Sequence, residues 1–137
     1  MAPKTSSESL TRQETETIRN RILERSGELR ADIRRELEKY DDERYADLAD
    51  RVSDVGEHSV ADLLVDVDLA EITRDVEELR ALEAALMRLA TGHYGTCTDC
   101  GQPIDAARLH YSPGAQRCLA CQERFEQQHP GTGHPTL

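Results

Sequence analysis

A chain of 137 residues with only 37% hydrophobic and 4% aromatic content, no Trp and a single Phe cannot fill a large globular core. Its formal charge of −10, with 32% charged residues and no basic stripe, excludes the electrostatics of a duplex-DNA binder, which must neutralise phosphates with Lys and Arg. Length must therefore come from long two-faced helices, and stability from a staple.

Residues 1–9 are rich in Ser and Thr and lack periodicity, so they are expected to form a disordered arm. Thr11 followed by Glu14 is a capping-box pattern that predicts a helix from about Leu10, with Thr5 and Glu8 as a competing start. Ile18, Ile22, Leu29, Ile33, Leu37, Tyr40 and Leu48 then recur at helical spacing among Arg, Glu and Asp, giving one narrow apolar seam on a charged rod. Gly27 weakens this helix by about 1 kcal/mol relative to Ala, so a bend near Ser26 and Gly27 is expected. A break is predicted across residues 50–58, where Val55 and Gly56 interrupt the pattern.

Ser59 with Asp62 forms another capping box and predicts a second helix with Ser59 at its N-cap. Val65, Leu69, Ile72, Val76 and Leu79 step by the alternating 4 and 3 of a heptad seam, and Leu82, Leu86 and Leu89 continue it after a slip at Glu83. Gly92 should end this helix in the left-handed conformation. Two seamed helices across a short break predict an antiparallel hairpin over residues 10–91 with its tip at about residues 50–59, a rod roughly 45 Å long. The N-terminal part of the first helix, at Ile18 and Ile22, should pack near the segment beyond Gly92.

That C-terminal segment is the most informative stretch of the chain. Cys97 and Cys100 form one C-x-x-C pair, Cys118 and Cys121 another, and 17 residues separate them, the spacing of a four-thiolate zinc site. Such a site leaves no coordination position for water or substrate, so one zinc ion acts as a structural staple, and its four thiolates add local negative charge. Gly101, just after Cys100, suits the positive φ of a zinc knuckle. Two disulfides or a C-x-x-C redox couple are the competing readings; no secretory signal opens the chain, and no βαβ pattern accompanies the pairs. Tyr94, Ile104, Leu109, Tyr111, Leu119 and Phe125 are the candidate core of this module over residues 92–128. Pro113-Gly114 marks a turn, and a short helix is expected after Cys121 to about Gln128. The remainder, residues 129–137, is predicted to be a flexible tail in which His129 and His134 are solvated rather than metal-binding. The fold class is thus mainly α, a long antiparallel coiled-coil hairpin with a small C-terminal four-cysteine zinc-finger module and a short C-terminal helix. With no apolar run near the length of a membrane span, a soluble, cytoplasmic protein with no membrane partner is expected.

The zinc stretch resembles the C4 finger of the DksA/TraR family of bacterial transcription factors, whose pattern is C-[D/E/S]-x-C-x3-I-x3-R-x4-P-x4-C-x2-C. Cys97, Cys100, Ile104, Arg108, Pro113, Cys118 and Cys121 keep every spacing, and Thr98 is the one departure. The Gly92-His93-Tyr94-Gly95 approach is also similar. The resemblance spans roughly residues 15–128 and implies direct binding of RNA polymerase rather than DNA, with the hairpin inserted through the secondary channel towards the catalytic magnesium. It places the family's D-x-x-D-x-A tip motif at Asp54, Glu57 and Ser59, departing at the last two. The bland alternative is that acidic residues near a helix N-terminus favour the macrodipole by a few tenths of a kcal/mol each. Where ppGpp-responsive members carry basic side chains, this chain has Ala81, Ser112 and Gln122, so ppGpp synergy is not expected, because a tetraphosphate needs Lys or Arg.

A monomer is expected. Two other functions share these features: a zinc-stapled coiled-coil adaptor for another protein, and a thiol/zinc redox sensor. An enzyme is not expected, for lack of an open metal position, a nucleophile–base pair or a phosphate-cradling loop.

Overall fold

The computed structural model describes residues 10–54 and 60–129. They form six helices: α1 (Arg12–Glu38), α2 (Glu43–Asp54), α3 (Val60–Leu63), α4 (Ala70–Thr91), α5 (Ala106–Tyr111) and α6 (Leu119–Gln128). The arm at residues 1–9 and the tail from residue 130 onward lie outside the described residues, as do residues 55–59.

The spine is α1, 27 residues or about 40 Å long. Its start is the predicted capping box: Thr11 Oγ1 accepts the Glu14 N–H at 3.0 Å, and the Thr11 N–H donates to Glu14 Oε1 at 2.9 Å. The seam behaves as the spacing requires. Ile18, Ile22, Leu29, Ile33 and Leu37 are all fully buried, each contributing roughly 1.5–3 kcal/mol of apolar burial. Ser26 and Gly27 lie inside the helix without interrupting it.

Antiparallel to α1 runs α4, 22 residues or about 33 Å long. Ile72, Leu79, Leu82, Ala85 and Leu86 are buried in one core with the α1 seam. Arg25 clamps Glu78 with both arms, Nε to Oε2 at 2.8 Å and Nη2 to Oε1 at 2.9 Å. Gly92, at φ 81°, closes α4 in the expected left-handed conformation, and its N–H and that of His93 satisfy the carbonyls of Leu89 and Arg88.

The connection between the two helices differs from the expected hairpin turn at residues 50–59. The chain first reverses at residues 39–42, and α2 runs back along α1. Arg30 donates to the Val52 carbonyl at 2.9 Å and Arg34 to Ser53 Oγ at 3.0 Å. Two forces explain this. Ala49 and Val52 bury an apolar face that a straight continuation of α1 would leave without a partner on this side. Asp42 supplies a local start, its carboxylate accepting the Arg44 N–H at 2.9 Å and its carbonyl the amides of Tyr45 and Ala46. The second helix is also shorter than its periodicity suggests. Val65 is 66% exposed, and Leu69 is an extended N-cap without a side-chain bond, so the observed seam of α4 begins at Ile72. The end of the rod remote from the cysteines is therefore formed by residues 39–42 and the start of α4, where Tyr40 reaches Glu71.

Candidate metal centre and helical rod

Past Gly92 the chain builds the cysteine module from two tight turns. In the first, the Gly101 N–H returns to the Cys97 carbonyl at 3.0 Å and the Cys97 N–H donates to the Gln102 carbonyl at 2.8 Å. Gly101 has the positive φ of 77° expected of it. An antiparallel bridge between Thr96 and Pro103 closes the loop. The second turn leads into α6, which starts at Leu119, earlier than expected, so that Cys118 is its N-cap and Cys121 lies in its first turn. The Thr98 N–H donates to the Gln116 carbonyl at 2.9 Å and Arg117 Nε to Asp99 Oδ2 at 2.9 Å, and these bonds tie the turns together.

This architecture brings all four sulfurs within 4.8 Å of one another, and Cys100 Sγ lies 3.9 Å from Cys118 Sγ. Zinc–sulfur bonds of about 2.3 Å in a tetrahedron put sulfurs roughly 3.8 Å apart, so the donor set fits one Zn2+. Burial pushes the Cys97 thiol up, but the backbone amides of Cys100, Cys118 and Asp99 outweigh it and hold the group down to about 6. Burial, with the hydrogen bonds shared among the thiols, pushes Cys121 up to about 12. Sulfurs this close ionise together only around a cation. Arg124 Nη2 donates to Cys121 Sγ at 3.1 Å, a positive group against the anionic cluster. Cys97, Cys100, Cys118 and Cys121 therefore form a closed structural zinc site.

The other members of the finger pattern have visible work. Ile104 is buried with Leu109 as the centre of the module. Arg108 Nε donates to the Arg117 carbonyl at 3.0 Å, bracing the approach to Cys118. Pro113 offers its carbonyl to the Tyr94 hydroxyl at 2.7 Å, and burial pushes that phenol up to about 12. Phe125 is covered by the Arg117 guanidinium, 4.0 Å from the ring centroid, and stacks on His129 at 4.1 Å. Two members of the expected core are outside it: Tyr111 is 80% exposed and Leu119 59% exposed. The last turn of α5 and the first of α6 point these side chains to solvent, and with Pro103 and Ala107 they line an open groove.

The module is fixed to the rod from both sides. Arg21 Nη1 donates to the His110 carbonyl at 2.8 Å, in the stretch carrying the buried Ile18 and Ile22, and Arg88 Nη2 donates to the Ala115 carbonyl at 3.3 Å. Gly114 sits so near α4 that a Cβ there would lie 3.3 Å from Ala81 Cβ.

Of the expected tip residues, Asp54 closes α2 beside α1, next to Ser53, and Glu57 and Ser59 lie outside the described residues. A residue that the pattern reading treated only as a slip in the seam proves structural. Glu83 is 6% exposed, and its carboxylate accepts the N–H groups of Val60 and Ala61 at 2.9 and 3.2 Å. Burial pushes its carboxyl up, against the pull of those amides and of Arg30. A lone Glu on an otherwise apolar helix stripe was the available signal.

A closed four-thiolate staple at the foot of an antiparallel helical rod defines a class of C4 zinc-finger proteins. Residues 92–127 match the family model described as prokaryotic dksA/traR C4-type zinc finger. Over 106 residues the chain is 32% identical to the RNA polymerase-binding transcription factor DksA of Caulobacter vibrioides, an overlap covering 77% of this chain and 66% of that protein. It is 30% identical over 82 residues to the DksA of Haemophilus influenzae, covering 60% and 52% of the two chains. The solved structure of transcription factor DksA2 from Pseudomonas aeruginosa aligns with a TM-score of 0.55 at 32% identity, covering 86% of this chain and 87% of that one. The chain belongs to the DksA/TraR family. It spans about two thirds of the length of its Caulobacter relative.

Proposed function

We propose that this protein regulates bacterial transcription by binding RNA polymerase directly, inserting its helical rod into the secondary channel rather than reading DNA. Family membership carries this reading, since the relatives are named as RNA polymerase-binding factors. The physics agrees with it. A net charge of −10 repels promoter phosphate, and a rod about 40 Å long suits a channel better than a flat surface. The zinc holds the foot of the rod, and the part of the rod that carries Asp54 meets the partner. Asp54, Glu57 and Ser59 are the partner-contacting residues in this reading, acting by charge and hydrogen bonding on the polymerase active centre. The factor works as a cytoplasmic monomer without catalysis of its own. It responds weakly to ppGpp, because Ala81, Ser112 and Gln122 offer no cation.

The test is co-elution of the zinc-loaded protein with core RNA polymerase, followed by promoter-specific transcription with Asp54→Asn and Glu57→Gln together. Stoichiometric binding with altered regulation in the variant is expected. No binding to core enzyme, or binding to promoter DNA alone, would overturn the reading. One observation favours a second function, a thiol/zinc redox sensor: the Cys100 residue is exposed. Zinc release at low peroxide would support that function, and retention would oppose it.

A further inference from the structure

The four sulfurs of the metal centre are not equivalent. Cys97 and Cys121 are buried, and both are hydrogen-bonded: the backbone amides of Cys100, Cys118 and Asp99 donate to Cys97, and Arg124 Nη2 donates to Cys121 Sγ at 3.1 Å. Cys100 is exposed and Cys118 half-buried, and among the described residues no N–H group is aimed at either sulfur. A hydrogen bond stabilises the negative charge of a thiolate and lowers its nucleophilicity, and burial bars reagents from it. Attack is thereby left to the edge of the cluster formed by Cys100 and Cys118, whose sulfurs lie 3.9 Å apart.

The surroundings separate these two sulfurs in turn. Cys118 lines the open groove beside α5 and the start of α6, whose volume of about 580 Å³ is in the range of a small-molecule site, and Cys100 is not part of its wall. The wall is mainly apolar, built from Pro103, Ala107, Tyr111 and Leu119. Arg108 stands in the same wall. Its Nε is engaged by the Arg117 carbonyl, while its two terminal nitrogens have no partner among the described residues. Asp105, the other charged side chain of the groove, disfavours an anionic reagent. An apolar face, a nucleophilic sulfur and a guanidinium with free N–H groups thus share one opening.

We propose that Cys118 is a modification site for neutral, apolar α,β-unsaturated carbonyl compounds, the class of enones and quinones. The sulfur adds to the β-carbon: a C–S bond forms, the C=C π pair moves onto the carbonyl as an enolate, and water supplies the proton that completes the adduct. Arg108 supplies positive charge for that enolate, while Tyr111 and Leu119 hold the apolar body. No electrons pass to an oxidant, which separates this chemistry from peroxide sensing, and polymerase binding has no part in it. The product sulfur is a neutral thioether, no longer the anionic ligand that a four-thiolate zinc site requires, so addition loosens the staple.

The test treats the zinc-loaded full chain, under argon, with N-phenylmaleimide, a neutral and apolar α,β-unsaturated imide. Adducts are located by peptide mass mapping, and released zinc is read with a chromogenic chelator. The first equivalent is expected on Cys118, at least several-fold ahead of Cys100, with zinc released in step. Iodoacetamide, small and polar, should lose that preference. Tyr111→Ser and Leu119→Ser, both at exposed positions, should each slow addition to Cys118 several-fold and leave the zinc content and the reaction of Cys100 unchanged. A first adduct on Cys97, Cys100 or Cys121 would overturn the proposal. So would a Cys118 rate that neither groove variant changes, an equal preference with iodoacetamide, or a zinc-loaded protein that takes no adduct while the metal-free chain does.

Discussion

Removing the zinc should unfold the module and leave the rod. The module buries few large apolar side chains, chiefly Ile104 and Leu109, worth roughly 3–6 kcal/mol together. That burial is too small to order the module's turns by itself. Structural zinc contributes about 10–16 kcal/mol at neutral pH, several times what the two side chains supply. Most of the rod's seam is buried between its own helices and should hold without the metal, although its foot shares one core with Cys97, Ile104, Leu109 and Cys121. Of the helical residues, α5 supplies 6 and α6 supplies 10. Chelation should therefore remove about a fifth of the far-ultraviolet helical signal at one equivalent of zinc released, with α1 and α4 amides still protected from hydrogen exchange. Loss of all helicity would show that the rod leans on the module. No loss would show that the cysteine cluster is not a staple at all.

Three other positions give outcomes of their own. Ser26 is buried in the α1 seam, 3% exposed, and its hydroxyl has no hydrogen-bond partner among the described residues, so Ser26→Ala should raise unfolding stability in urea by about 1 kcal/mol. Gly114→Leu must push the module away from Ala81 and Leu82, at a cost of about 1–3 kcal/mol, yet should retain zinc in a metal-content assay, separating docking from metal binding. Tyr94 has a folded value raised to about 12 by burial, above the 10.0 of a free phenol. The unfolded chain thus loses that proton first, and stability should be intact below pH 10 and fall as pH rises from there through about 12. Tyr94→Phe should remove the latest-titrating fraction of the phenolate absorbance and flatten that alkaline decline.

The parts legible from sequence were those governed by local chemistry. Thr11 and Glu14 announced the start of α1, Gly92 the end of α4, and the cysteine spacing with Gly101 the metal site, because each is decided within a few residues. The fold-back at residues 39–42 was not legible. The apolar period runs through it unbroken, and the reversal is decided by the α2 face finding α1 and by polar side chains such as Arg30 and Glu83, distant in sequence. Asp42 was the only local hint, an N-cap without the Glu or Gln three residues on that would have marked it. The exposure of Tyr111 and Leu119 was hidden for a related reason: a module shaped by a metal need not bury every apolar side chain it carries.

The most direct test of the proposal that this zinc-stapled rod meets RNA polymerase with its helical part is site-specific photocrosslinking in the complex with core enzyme. Crosslinkers at Asp41 and Asp54, on the helical part, should give adducts with surfaces lining the secondary channel, whereas one at Glu126, on α6 of the zinc module, should not reach the channel interior. Adducts from Glu126 alone, or none from any position while promoter DNA is captured, would contradict the account.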